Sequence, residues 1–423
     1  MRMIYQARRP HNESPRWPTA AVIAVALGVG LLALALGCQP AQDNNGRGDA
    51  DGVGSGEGVS ERTVASGCPL VVTTSAYTAF LDLAQEVKSA GTFGDAAAGR
   101  LAAHPIYTRW VRSFESPQVT AHTLDSWVAR AFLGRSYELP DQQRVPFPGT
   151  YASLEYDFDR AGEIIAELNR FNTAETGCRA LDLLDGFVRP GRLPDTLRVD
   201  FLAGNVEIRR FDNHAMVDVG LALALGQTQL AHLLASVLYQ DVEFIPGSHP
   251  KDTSGAAAVY NTWRVVLNGG IAAWLEDLPN LYFGNDHPRL KNANPVPEPI
   301  FARAARTLAD LDPLLTRLLA DPESLARQGT ELNKYLIGSQ AYQAVGLAMV
   351  TLIDRRLGVA RLQQSCHAVS DFLDAYQEAA ALNPESPTGP RGRIPFYLES
   401  LRPLPPQTYP ALRQLLVEQE EQN

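Results

Sequence analysis

Two short alternating runs followed by one apolar helix stripe constrain this chain more than any other feature. Leu197, Val199 and Phe201 alternate with polar residues, Gly204 and Asn205 supply a turn, and Val206, Ile208 and Phe211 alternate again before an apolar stretch at 215–219. A period of two marks half-buried strands, and the Gly-Asn break predicts a hairpin-like pair within residues 196–220. Directly afterwards Leu230, Leu233, Leu234, Val237 and Leu238 fall at i, i+3, i+4, i+7 and i+8, one face of an α-helix. A small sheet feeding a helix is therefore expected.

The other periodic segments read as helices. Phe80, Leu81, Leu83, Ala84 and Val87 give residues 76–88 one apolar face, and Ile164, Ile165 and Leu168 do the same for 157–171. A polar-apolar alternation covers 94–114. Further helices are expected at 258–275, 299–319, 339–357, 360–381 and 411–420. The stretch 384–410 is rich in proline, which favours extended backbone. The expected class is α+β, mainly helical, with the body from 68 to 423 as one large domain, because no shift in composition marks a boundary inside it.

The N-terminal end addresses the chain elsewhere than the cytoplasm. Arg2, Arg8, Arg9 and Arg16 stand against the single acid Glu13, and an unbroken apolar run at 20–36 follows. The run is slightly shorter than the roughly 20 residues that a membrane-crossing helix needs. It ends in Ala35, Leu36, Gly37 and Cys38, which resembles the lipobox of bacterial lipoproteins, with Ala35 where Leu is usual. This reading makes 1–37 a lipoprotein signal peptide and Cys38 the acylated first residue of the mature protein. The alternative is an uncleaved anchor helix, and both readings put the body outside the cytoplasmic membrane, at the periplasmic face or cell surface. Residues 38–67, built of Gly, Asp, Asn and Ser, lack the apolar surface to offset their ordering entropy and read as a flexible tether.

Charge and cysteine content narrow the function. The net charge of −10 argues against unspecific nucleic-acid binding, which is driven by Lys and Arg. With Cys38 acylated, Cys68, Cys178 and Cys366 remain without CxxC spacing, so the sequence allows one disulfide of undetermined pairing or three buried thiols. No Gly-x-Ser-x-Gly elbow, P-loop or dinucleotide fingerprint is present. His104, His122, His214, His249, His287 and His367 are scattered without metal-ligand spacing, and Cys178 in "TGCRAL" has no signature of a nucleophile. Asp212, Asp218, Glu276 and Asp277 are candidate acids whose bland reading is solvation or helix capping.

The order of segments "HPIYTRW", "MVDVGLALALG", "QLAHLLASVLYQ", "LNGGIAAWLED", "AYQAVGLAMVTLIDRRLG" and "FLDAYQEA" resembles a family of putative zinc-dependent peptidases over most of the body. The resemblance implies a zincin-like scaffold: a small sheet, a helix carrying His-Glu-x-x-His, and a later helix carrying a third ligand in a Glu-Gly-x-Ala context. Two His four residues apart lie about 40° apart around a helix and can share one zinc, while the intervening Glu polarises a bound water. Setting "LLASVLYQ" on that motif puts Ser236 and Gln240 at the His positions, Val237 at the general base and Gly269 at the third ligand. His232, one turn earlier, opens no better frame, because Leu233 and Ser236 then fill the base and second-ligand positions.

The resemblance thus implies a pseudopeptidase without catalytic residues, cofactor or metal, zinc being the family's ion. Its expected role is non-catalytic binding of a peptide or an envelope protein, with the membrane held through the lipid. The alternatives are an active hydrolase with a relocated site and a structural lipoprotein of the cell envelope.

Overall fold

The computed structural model describes residues 62–63, 70–94, 97–113, 121–134, 137, 151–189, 191–193, 196–204, 209–211, 214–243, 255–276, 297–339, 341–382 and 398–422. Residues 1–37, read in the sequence as a signal peptide, and Cys38, Cys68, His249, His287, Asp212, Asp277 and residues 383–397 lie outside them.

In chain order the elements are β1 (Arg62–Thr63), β2 (Leu70–Thr73), α1 (Ser75–Ala90), α2 (Arg100–Ala103), α3 (Pro105–Arg112), α4 (Ala121–Leu133), α5 (Tyr151–Asp159), α6 (Ala161–Arg170) and α7 (Thr173–Leu184). Next come β3 (Leu197–Leu202), β4 (Arg209–Phe211), β5 (His214–Asp218), α8 (Val219–Glu243), α9 (Ala256–Leu275), α10 (Pro297–Leu318), α11 (Pro322–Asn333), α12 (Ala341–Leu357), α13 (Val359–Ser365), α14 (Val369–Ala381) and α15 (Tyr409–Gln422). The class is α+β and mainly helical. Buried residues from Leu70 to Leu416 join in one cluster that includes Trp110, Trp127 and Trp263.

The sheet runs β1-β2-β3-β5-β4, with β2, β3 and β5 parallel and the two outer strands antiparallel to their neighbours. The two alternating runs do not form the hairpin expected of them. Ala215, Met216, Val217 and Asp218 of β5 are all buried, so this strand needs cover on both sides and takes the place beside β3. β4 is short and begins with Arg209 and Arg210, a composition suited to a sheet edge. Arg62 and Thr63, read as tether, pair with Val72 and Val71. β2 was not legible as a strand, since "LVVT" is too short to show alternation.

Local chemistry also divides segments that periodicity joins. Within 94–114, Pro105 opens α3 and His104 caps it, its Nδ1 accepting the Ile106 N–H at 3.3 Å. Within 157–171, Arg160 at φ −102°, ψ 17° separates α5 from α6. Gly226, at φ 72° and ψ 172°, breaks α8 between its first two turns and the long run from 227.

Helices α9 and α12 approach each other closely. A Cβ on Gly346 would lie 2.1 Å from the Val266 carbonyl oxygen and 2.8 Å from Gly270 Cα; one on Gly270 would lie 2.4 Å from Gly346 C. The two glycines are thus what lets the backbones touch. Gly346→Ala should force the pair apart and cost roughly 3 kcal/mol by overpacking, read as a lowered thermal midpoint. Gly162→Ala in α6, where an added Cβ meets nothing within 4 Å, should instead be neutral or slightly stabilising.

Candidate functional site

The helix that follows the sheet starts on a buried acid. Asp218 ends β5 and its Oδ1 accepts the Leu221 N–H at 2.8 Å, so its role here is the cap of α8. Past Gly226, Leu230, Ala231, Leu234, Ala235 and Leu238 bury one side of α8 in the core. α9 packs against it in the opposite sense: His232 meets Leu275 near one end of the seam, and Tyr239 meets Asn268 near the other.

Between these contacts lies a short polar chain. Gln240 Nε2 donates to Ser236 Oγ at 3.1 Å, and Ser236 Oγ donates to Glu276 Oε1 at 2.9 Å. Ser236 has no solvent exposure and Glu276 only 3%. Glu276 sits where α9 ends, its N–H bonded to the Ala272 carbonyl, which directs its side chain back along the seam. Burial raises its pKa to about 8, against a smaller lowering by the Ser236 hydroxyl. The carboxyl is therefore held protonated at neutral pH. Its Oε2 is buried without a partner among the described residues.

The structure brings together two of the four positions singled out in the sequence and adds a third group. Ser236 and Gln240 are hydrogen-bonded, as above, and Val237, beside them and half-buried, offers no acid-base group. Gly269 is turned elsewhere: a Cβ there would lie 2.9 Å from Cε2 of Tyr342 on α12, whose ring takes up the space of a side chain at 269. The acid that reaches Ser236 is Glu276, two helical turns further on. His232 donates from Nδ1 to the Leu275 carbonyl at 2.9 Å and serves as a tie between α8 and α9.

These residues do not fit a zinc ion. Zinc sites of peptidases draw on imidazole, thiolate or ionised carboxylate. Here a hydroxyl and a primary amide stand at the two positions on α8, and the one acid beside them holds its proton. Among the described residues no group of three His, Cys, Asp or Glu is placed to share an ion.

The remaining candidates separate by environment. Cys178 is disulfide-bonded, whereas Cys366 is a buried free thiol whose pKa burial pushes up to about 12. A thiol so disfavoured as thiolate is a poor nucleophile. His367 lies beside it, its ring nitrogens 3.7 Å from the sulfur.

Residues 246–385 match the model of a family described as putative zinc-dependent peptidases. The resemblance is carried by α9 to α14. The matched stretch includes Gly269 and Glu276, while α8 with Ser236, Val237 and Gln240 precedes it. No curated protein and no solved structure matches the chain.

Proposed function

We propose that this chain is an exported, lipid-anchored relative of zinc-dependent peptidases that has exchanged the metal centre for a hydrogen-bonded seam and acts by binding, not by cleaving. The observation that carries the reading is the bond from Ser236 to a proton-holding Glu276. Where a peptidase needs two imidazoles and an open coordination position, this contact is buried and neutral, with the Ser236 hydroxyl bonded to Glu276 Oε1. A peptide or a protein of the cell envelope is the ligand class that a peptidase-shaped body would keep after losing its chemistry. The disulfide at Cys178 supports an oxidising compartment, and so an exported body. With Cys38 acylated, membrane attachment runs through the lipid.

The test is metal analysis of the purified full chain in detergent, after loading with zinc and exhaustive dialysis. Zinc should remain far below one ion per chain, and casein should stay uncut with or without a chelator. Retention of one zinc per chain, or cleavage that a chelator stops, would remove the reading in favour of an active hydrolase with a relocated site.

A further inference from the structure

A second polar cluster lies in the sheet, outside the α8–α9 seam and outside the family match. Asp200 of β3 stands opposite Thr73 of β2 and Met216 of β5 and is 1% exposed. Both of its carboxylate oxygens are engaged: Thr73 Oγ1 donates to Oδ1 at 2.9 Å, and His214 Nδ1 donates to Oδ2 at 2.7 Å. The second bond fixes the imidazole with Nε2 on the side of the ring away from the carboxylate.

Arg109 of α3 completes the cluster without being satisfied by it. Its Nη1 is 3.6 Å from Asp200 Oδ2 and 3.5 Å from His214 Nδ1, at or beyond the limit of a hydrogen bond. Its side chain makes no other polar contact among the described residues, although three quarters of it is covered. A guanidinium has five donors in a planar fork, and that fork matches two oxygens on one carbon or phosphorus. One buried carboxylate shared with an imidazole uses little of this capacity. The side chains of Arg109 and His214 remain 25% and 16% exposed, so both can be reached from solvent.

We propose that Arg109 and His214, positioned by the buried Asp200, form a binding site for a small oxyanion, a carboxylate or a phosphate. The fork of Arg109 takes two oxygens of the ligand and the imidazole lies beside them. Asp200 orients the imidazole and keeps the guanidinium near the sheet, and it does not itself touch the ligand. The site is independent of whether the α8–α9 seam holds metal.

Isothermal titration of the full chain in detergent with inorganic phosphate forms one arm of the test. The other uses a short peptide with a free C-terminal carboxylate against its amidated twin. Saturable heat with at least one of the two anions, with movement of the His214 imidazole resonance, is the expected result, and the arm that saturates names the ligand class. Arg109→Met should weaken binding about ten-fold or more, since a hydrogen bond to a charged group is lost. Arg109→Lys, which keeps the charge and loses the fork, should fall between the two. If Arg109→Met fails to fold, His214→Gln, whose amide can still donate to Asp200, gives the same reading with an expected loss of binding. Absence of saturation with both anions, or unchanged affinity in the folded variants, would overturn the proposal and leave the cluster as a latch between α3 and the sheet.

Discussion

The double variant Ser236→His/Gln240→His should take up one zinc per chain where the parent takes up none. The two positions are one helical turn apart on α8 and already touch through the Gln240–Ser236 bond. Glu276 reaches the same point from α9 through its 2.9 Å bond to Ser236. Two imidazoles and a carboxylate make the His2Glu set of a peptidase centre. Binding would have to take the proton from Glu276, so uptake should release protons and strengthen as pH rises. Adding Glu276→Gln to the double variant should abolish retention, because a neutral amide is a poor substitute for the third ligand. Val237 leaves the general-base position empty, so the double variant should hold metal without cutting peptide. Zinc content after dialysis decides this. A folded double variant that holds no zinc would mean that positions 236, 240 and 276 do not converge on one coordination sphere.

How much of this was legible beforehand depended on how local the cause is. The helix through Leu230 to Leu238 follows from a side-chain period, and a period is a property of neighbours in sequence. The place of β5 beside β3 depends on which strand needs cover on two faces, which the alternating runs do not reveal. The break at Arg160 was illegible for a related reason, since apolar spacing continues smoothly across it. In the candidate site, the replacement of the α8 ligands by Ser236 and Gln240 could be read off directly. Gly269 could not be placed, because its surroundings are set by Tyr342 on a helix over seventy residues away, a distance of chain that no periodicity spans. Glu276, seven residues beyond Gly269, stands out in the sequence as an acid, but only tertiary packing shows that it reaches Ser236.

Glu276 should also govern how the stability of the protein responds to pH. Its pKa is 4.5 in an unfolded chain and about 8 in the fold, so between these values the folded state keeps a proton that the unfolded state has released. Folding stability must then fall as pH rises, by about 1.4 kcal/mol per pH unit for one proton. The contribution is fully present below about pH 4.5, is lost as pH climbs through about 8, and is flat above that. The accumulated loss is on the order of 5 kcal/mol, large beside the 5–15 kcal/mol by which domains are ordinarily stable. Glu276→Gln keeps the shape and the oxygen that accepts from Ser236 but has no proton to lose. It should match the parent near pH 4.5 and exceed it by several kcal/mol near pH 8, with this component of the slope gone. Other buried acids titrate in both proteins, so the difference between the two urea-denaturation profiles isolates Glu276. Parallel profiles from pH 4.5 to 8.5 would mean that Glu276 is ionised in the fold; the seam would then carry a free carboxylate, the first requirement of a metal site.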